Sequence, residues 1–181
     1  DLANSAAERL VSALGAVTAE GTAFEIDADL RPEGKQGPLS RSLESFVHYY
    51  ERWSEPWEHQ ALLKARFVAG DEDLGKRFDA MARELAYPEE FTGVDATRMR
   101  RMKARLEKER IKKRQDPKRH LKLGPGGLSD VEWTVQFLQQ RHGGTNPVVR
   151  TTNTLEALDA LQDESLLDHR DAAWMRDGYR F

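Results

Sequence analysis

From Phe24 to Arg31 apolar and polar residues alternate, F-E-I-D-A-D-L-R, and nowhere else does this chain show so clearly the two-residue period of a strand. Within an expected strand over Thr22–Pro32, Phe24, Ile26, Ala28 and Leu30 face a core, while Glu25, Asp27, Asp29 and Arg31 share the opposite face. Three carboxylates spaced about 7 Å apart on that face repel one another and need a cation, Arg31 or a bound metal. Oxygen ligands of this kind suit the magnesium chemistry of nucleotides. A lone strand leaves its backbone donors and acceptors unpaired, so the rest of its sheet is expected outside this sequence or on a neighbouring molecule.

Everything around that stretch reads as helix. Leu2, Ala6, Leu10 and Leu14 recur at helical spacing before it. After it, Pro32, Gly34, Gly37 and Pro38 mark an irregular loop carrying Lys35 near Arg31. Ser42 suits the N-cap of a helix with Leu43, Phe46, Val47, Tyr50 and Trp53 on one stripe. Ser54 and Pro56 start the next helix, which carries Trp57, Ala61, Ala65 and Val68 and is expected to end at Gly70. Glu58, Lys64 and Arg66 lie on it. They either complement the helix dipole or form a buried polar cluster. Gly70-Asp71 is the expected domain boundary, since only helical patterns follow: a stripe from Leu74 to Leu85 closed by Tyr87-Pro88, and a helix begun at Asp95 with Met99, Met102 and Leu106.

Charge is segregated along the chain. Residues 98–122 hold 13 Lys and Arg against three carboxylates, in a chain whose net charge is −3. Such a run is either a solvated helix face or an anion-binding surface. Few aromatics interrupt it, which argues against stacking on single-stranded nucleic acid. In Gly124-Pro125-Gly126-Gly127-Leu128-Ser129-Asp130-Val131-Glu132, the glycines and the helix start present backbone donors to an anion, with Lys122 adjacent. The same residues also read as a capping box, Ser129 to Glu132, with Asp130 placed by the dipole. A helix from Ser129 to His142 follows, with Glu132 and Gln136 one turn apart, then two short helices over Thr154–Leu161 and Asp168–Tyr179. The sequence has no cysteine, its five histidines show no ligand spacing, no apolar run approaches membrane-spanning length, and nothing resembles a signal peptide. A cytoplasmic setting is expected. Because the chain begins at Asp1 without methionine and reaches Phe181 within a helical pattern, a fragment of a longer protein is expected too.

Three stretches in order, I-D-A-D-L-R-P-E-G-K-Q-G-P-L, W-E-H-Q-A-L-L-K-A-R and L-K-L-G-P-G-G-L-S-D-V-E-W, resemble the bifunctional glutamine synthetase adenylyltransferase and adenylyl-removing enzymes, most closely the carboxy-terminal, AMP-transferring half. The resemblance implies a mainly α chain: residues 1–70 as the end of a nucleotidyltransferase α/β domain with one or at most a few strands, and residues 71–181 as a helical bundle. It implies ATP as substrate, Mg²⁺ as cofactor, a tyrosine of glutamine synthetase as acceptor and a PII-type signalling protein as a further partner. Asp27 matches the family's third catalytic carboxylate and metal ligand. The Gly-Ser motif with its aspartate pair has no match here, so this chain alone is expected to be inactive. Arg31, Lys64 and Arg66 are the implied phosphate or carboxylate contacts. Lys122, Gly126 and Gly127 would bring the helical part to the nucleotide, supported by Glu58, Asp130 and Glu132. The adenylyl-removing half, a helical RNA-binding module and a purely structural interaction module are the competing readings.

Overall fold

The computed structural model describes residues 2–110, 116 and 119–180. The chain divides into two compact units, Asp1–Ser54 and Glu55–Phe181. The described residues are mainly helical, as expected, with a single two-stranded antiparallel ladder.

The first unit holds α1 (Leu2–Leu14), β1 (Val17–Thr18), β2 (Gly21–Thr22) and α2 (Leu43–Arg52). The two strands pair Val17 with Thr22 and Thr18 with Gly21. The strand expected over Thr22–Pro32 does not form: only its first residue is in the ladder, and the residues after it are unpaired backbone. Phe24 and Leu30 are 61% and 64% exposed, so the alternating face has no core to meet. The reason is the one the unpaired backbone predicts, since among the described residues no strand pairs with that stretch. The loop after it is held by specific hydrogen bonds. Arg31 donates to the carbonyls of Ala28, Lys35 and Gly37. A side chain at Gly37 would lie 2.1 Å from the Pro32 carbonyl oxygen, so only glycine fits. Asn4 on α1 accepts the Leu39 N–H at 2.8 Å. Ser42 caps α2 as expected, accepting the Ser45 N–H.

The second unit holds α3 (Pro56–Leu62), α4 (Glu72–Ala86), α5 (Gly93–Arg110), α6 (Leu128–Gly143), α7 (Thr154–Asp163) and α8 (His169–Arg180). The expected helix to Gly70 stops at Leu62, and residues 63–65 continue only as tight turns. Its start is fixed by Pro56 and by the Glu58 carboxylate, which accepts the Glu55 N–H at 2.8 Å. α4 starts at Asp71, whose carboxylate accepts the Leu74 N–H, and passes so close to Phe67 that a Cβ on Gly75 would lie 2.4 Å from that ring. α5 opens on a reciprocal pair, Thr92 and Asp95, rather than on Asp95 alone. The expected run of this basic helix through Arg114 passes, after Arg110, outside the described residues.

The core of the second unit lies between α6, α7 and α8. Val131 and Val135 of α6, Val149 of the preceding 3₁₀ turn (Pro147–Val149), and Ala157, Leu158 and Leu161 of α7 form one buried cluster, with Met175 and Tyr179 packed against it. Gln139 of α6 is buried at the edge of this core and donates to the Val149 and Thr151 carbonyls, both at 2.8 Å.

Candidate functional site

α3 and the turn after it present Gln60 and Lys64, one helical turn apart, while α6 presents Glu132 and Gln136 at the same spacing. The structure brings these two rows together. Gln60 donates to the Gln136 amide oxygen at 2.7 Å. The Lys64 ammonium donates to the Thr152 carbonyl at 2.7 Å and to Thr154 Oγ1 at 2.8 Å. Tyr179 of α8 donates to Glu132 at 2.9 Å. Burial pulls the Lys64 pKa below that of an ordinary lysine, and the nearby Glu132 carboxylate opposes that fall only in part. For Tyr179, the Thr154 hydroxyl works to lower the pKa, but burial and Glu132 outweigh it and raise it.

Lys64 and Glu132 are therefore parts of a partly buried polar seam, not a solvated face, while Glu58 is buried and closes the capping box at the start of α3. The expectation that Lys64 complements the carbonyls ending α3 is corrected: its ammonium reaches the segment before α7. Glu132 is not half of a capping box either. α6 begins at Leu128 with Gly127 as N-cap, which places Ser129 inside the first turn and leaves Glu132 free to meet Tyr179.

The glycine loop is folded onto the protein's own anion. The Gly126 N–H donates to the Asp130 carboxylate at 2.7 Å, and Asp130 also binds Lys103 of α5, which pairs in addition with Glu107. Burial alone would lower the Lys103 pKa; the bonds to Asp130 and Glu107 outweigh it and raise it. The N–H groups of Gly124, Gly127, Leu128 and Ser129 are bonded to carbonyls of His120, Gly124, Leu121 and Lys122. A Cβ on Gly127 would lie 2.6 Å from the Leu121 carbonyl oxygen, so this position serves close backbone approach. The Lys122 side chain is exposed.

In the first unit, Asp27 is exposed and accepts the Asp29 N–H at 2.9 Å, while Asp29 pairs with Lys35. Among the described residues no three His, Cys, Asp or Glu side chains are close enough to hold a metal ion. The residues present do not by themselves fit a magnesium site. Three donors of Arg31 are committed to loop carbonyls, as described above.

Arg66 lies elsewhere in the second unit, on the wall of a cavity of about 320 Å³ that also includes Arg83, Arg150 and Tyr87. Burial pushes the Tyr87 phenol up to about 12, against the opposing charges of Arg150 and Arg83. Between pH 10 and 12 the unfolded chain gives up this proton and the folded chain keeps it, so stability falls as pH rises through that window. Urea denaturation across that range is expected to show a smaller loss for Tyr87→Phe than for the wild type; parallel pH profiles would remove Tyr87 as the cause.

Sequence reasoning did not find Gln60, Thr154, Tyr179, Arg83 or Arg150. For Gln60 a signal existed, since its spacing to Lys64 repeats that of Glu132 to Gln136. For the others none did, because Tyr179 lies 47 residues from Glu132 and nothing local marks the pairing.

Comparison with known proteins gives two family matches. Residues 2–81 match the glutamate-ammonia ligase adenylyltransferase family, and residues 98–181 match the GlnD PII-uridylyltransferase family. Among individual relatives, the chain is 56% identical over 155 residues to the bifunctional glutamine synthetase adenylyltransferase/adenylyl-removing enzyme of Streptomyces coelicolor, covering 85% of this chain and 16% of that protein. It is 45% identical over 178 residues to the enzyme of the same name from Mycobacterium avium, covering 98% of this chain and 18% of that protein. The Mycobacterium tuberculosis enzyme of that name is 49% identical over 156 residues, 86% of this chain and 16% of its own length. The chain thus spans less than a fifth of the length of these relatives.

Proposed function

We propose that this chain, a relative of the bifunctional glutamine synthetase adenylyltransferase/adenylyl-removing enzymes, is a segment of the half that transfers AMP from ATP to a tyrosine of glutamine synthetase in the cytoplasm, and so regulates nitrogen assimilation. One observation carries the reading. The two stretches of the second unit that bear the resemblance, around Gln60–Lys64 and Glu132–Gln136, meet in one hydrogen-bonded seam. That seam fixes α3, with Arg66 just beyond it, against the helices that follow. In this reading residues 1–70 close a nucleotidyltransferase domain and 71–181 are its helical bundle, and the change of matched family between residues 81 and 98 supports two parts. Asp27 and Arg31 are the residues the first part contributes to the nucleotide, with magnesium binding dependent on carboxylates other than those assembled here. Lys122, Gly126 and Gly127 act through the fold of the loop that Asp130 holds. The match of 98–181 to a PII-uridylyltransferase family supports a PII-type protein as a further partner.

The adenylyl-removing half is the second reading, because the relatives are bifunctional by name. Both activities are read in a full-length enzyme containing this segment. Lys64→Met is expected to slow AMP transfer to glutamine synthetase on the order of a hundredfold, through misplacement of the groups the seam positions, with removal of AMP unchanged. Slowed removal with intact transfer would assign the segment to the other half. The 181-residue chain alone is expected to transfer no AMP.

A further inference from the structure

We propose that the cavity between α3, α4 and residues 150–152 is a binding site for a small phosphate-bearing molecule. The proposal does not rest on the assignment of the chain to AMP transfer. The cavity is about 320 Å³, near the lower end of volumes that take small-molecule ligands and too small to enclose a whole nucleoside triphosphate. Three guanidinium groups reach it from three separate elements: Arg66 after α3, Arg83 of α4, and Arg150 after the 3₁₀ turn. Against them stands one carboxylate, Asp79, which is already engaged with the Phe67 N–H at 2.9 Å.

Arg150 is anchored. It donates to the carbonyls of Gly143 and Gly144 at 2.7 and 3.0 Å and lies 5.3 Å from the centre of the Tyr87 ring. Arg66 and Arg83, both exposed, have no hydrogen bond or ion pair to any described residue, so the three guanidinium charges outnumber the single Asp79 carboxylate on the cavity wall. The Tyr87 phenol, on a residue only 7% exposed, likewise has no hydrogen-bond partner among the described residues. The Tyr87 side chain, Arg66, Arg83 and Arg150 line the same cavity, so a phenol and guanidinium donors that the protein leaves unused are available there to an anion that enters. Donors arriving from several directions suit the tetrahedral oxygens of a phosphate better than a flat carboxylate, which one guanidinium fork satisfies.

The basic run of α5 is the competing anion site, and it supplies the control. Pyrophosphate is titrated into the whole 181-residue chain by calorimetry at fixed ionic strength, with succinate as the second arm. Three proteins are compared: wild type, the double variant Arg66→Gln/Arg83→Gln, and Arg101→Gln on α5. Both substituted arginines of the double variant are exposed, and its far-UV circular dichroism and thermal midpoint check that the fold is kept. Pyrophosphate binding that weakens at least about tenfold in the double variant, as loss of two charge-assisted contacts requires, is the expected result, with Arg101→Gln unchanged and succinate much weaker. The proposal is overturned by no pyrophosphate binding to the wild type, by equal affinity in the double variant, by a loss confined to Arg101→Gln, or by succinate binding as tightly as pyrophosphate. Should the double variant fail to fold, Tyr87→Phe takes its place, with weakened pyrophosphate binding expected and unchanged binding against the proposal.

Discussion

Leu158→Ala is expected to destabilise the helical unit by about 2–5 kcal/mol, since deleting a fully enclosed leucine loses its transfer free energy and leaves a cavity. Leu158 is 0% exposed and sits among Val131, Val135, Val149 and Leu161, which come from two helices and a 3₁₀ turn. Those neighbours are themselves held at several points, so collapse around the lost atoms is limited and the upper part of the range applies. Urea denaturation followed by far-UV circular dichroism measures it. Leu121→Ala, at a leucine 84% exposed, is the control and is expected to leave the transition in place. Equal effects at the two positions would mean that the α6–α7–α8 core is not the stabilising centre of the unit.

Gln139→Leu is the second large effect. The side chain is 1% exposed, and its amide serves the carbonyls of both Val149 and Thr151. Leucine keeps much of the volume but leaves two acceptors without their donor, each worth about 1–3 kcal/mol when buried. The expected loss is about 2–4 kcal/mol, allowing for water reaching Thr151, which is half-buried. Because Thr151 and Thr152 line the cavity that holds Arg150, pyrophosphate affinity is expected to fall as well. A variant as stable as the wild type would show that the amide is not needed to hold that segment. Gln139→Glu separates hydrogen bonding from shape: its carboxylate faces the same carbonyls as an acceptor, so it is expected to be no better than leucine.

The helices were legible because their signals are local. Ser42, the Leu74–Leu85 stripe ended before Pro88, and the short helix expected over Thr154–Leu161 each place an element that the structure contains. The strand failed for the complementary reason. Alternation at Phe24–Leu30 states what a stretch would do beside a partner strand, and pairing is not a property of one stretch. At Ser129 two local rules competed, a side-chain cap and a glycine N-cap, and the bonds from the Leu128 and Ser129 N–H groups to the Leu121 and Lys122 carbonyls, with the close approach of Gly127 to the Leu121 carbonyl, decided for the glycine. The polar seam was half legible: Glu132 and Gln136 showed their spacing, but whether they met water or protein depended on α3 and α8, far away in sequence. The cavity was least legible, since Arg66, Arg83 and Arg150 share no periodicity and are united only by the fold.

The end of α6 carries a consequence for how such chains diverge. A Cβ on Gly143 would lie 2.3 Å from the Tyr87 ring, and one on Gly144 would lie 2.2 Å from the Pro88 carbonyl oxygen. The same two glycines offer their carbonyls to Arg150. One guanidinium of the cavity is thus locked to two positions where no other residue fits, while Arg66 and Arg83 are exposed and bond to none of the described residues. Drift under selection for folding alone would erase those two first and spare Arg150; retention of all three across distant relatives would be the mark of selection by a ligand.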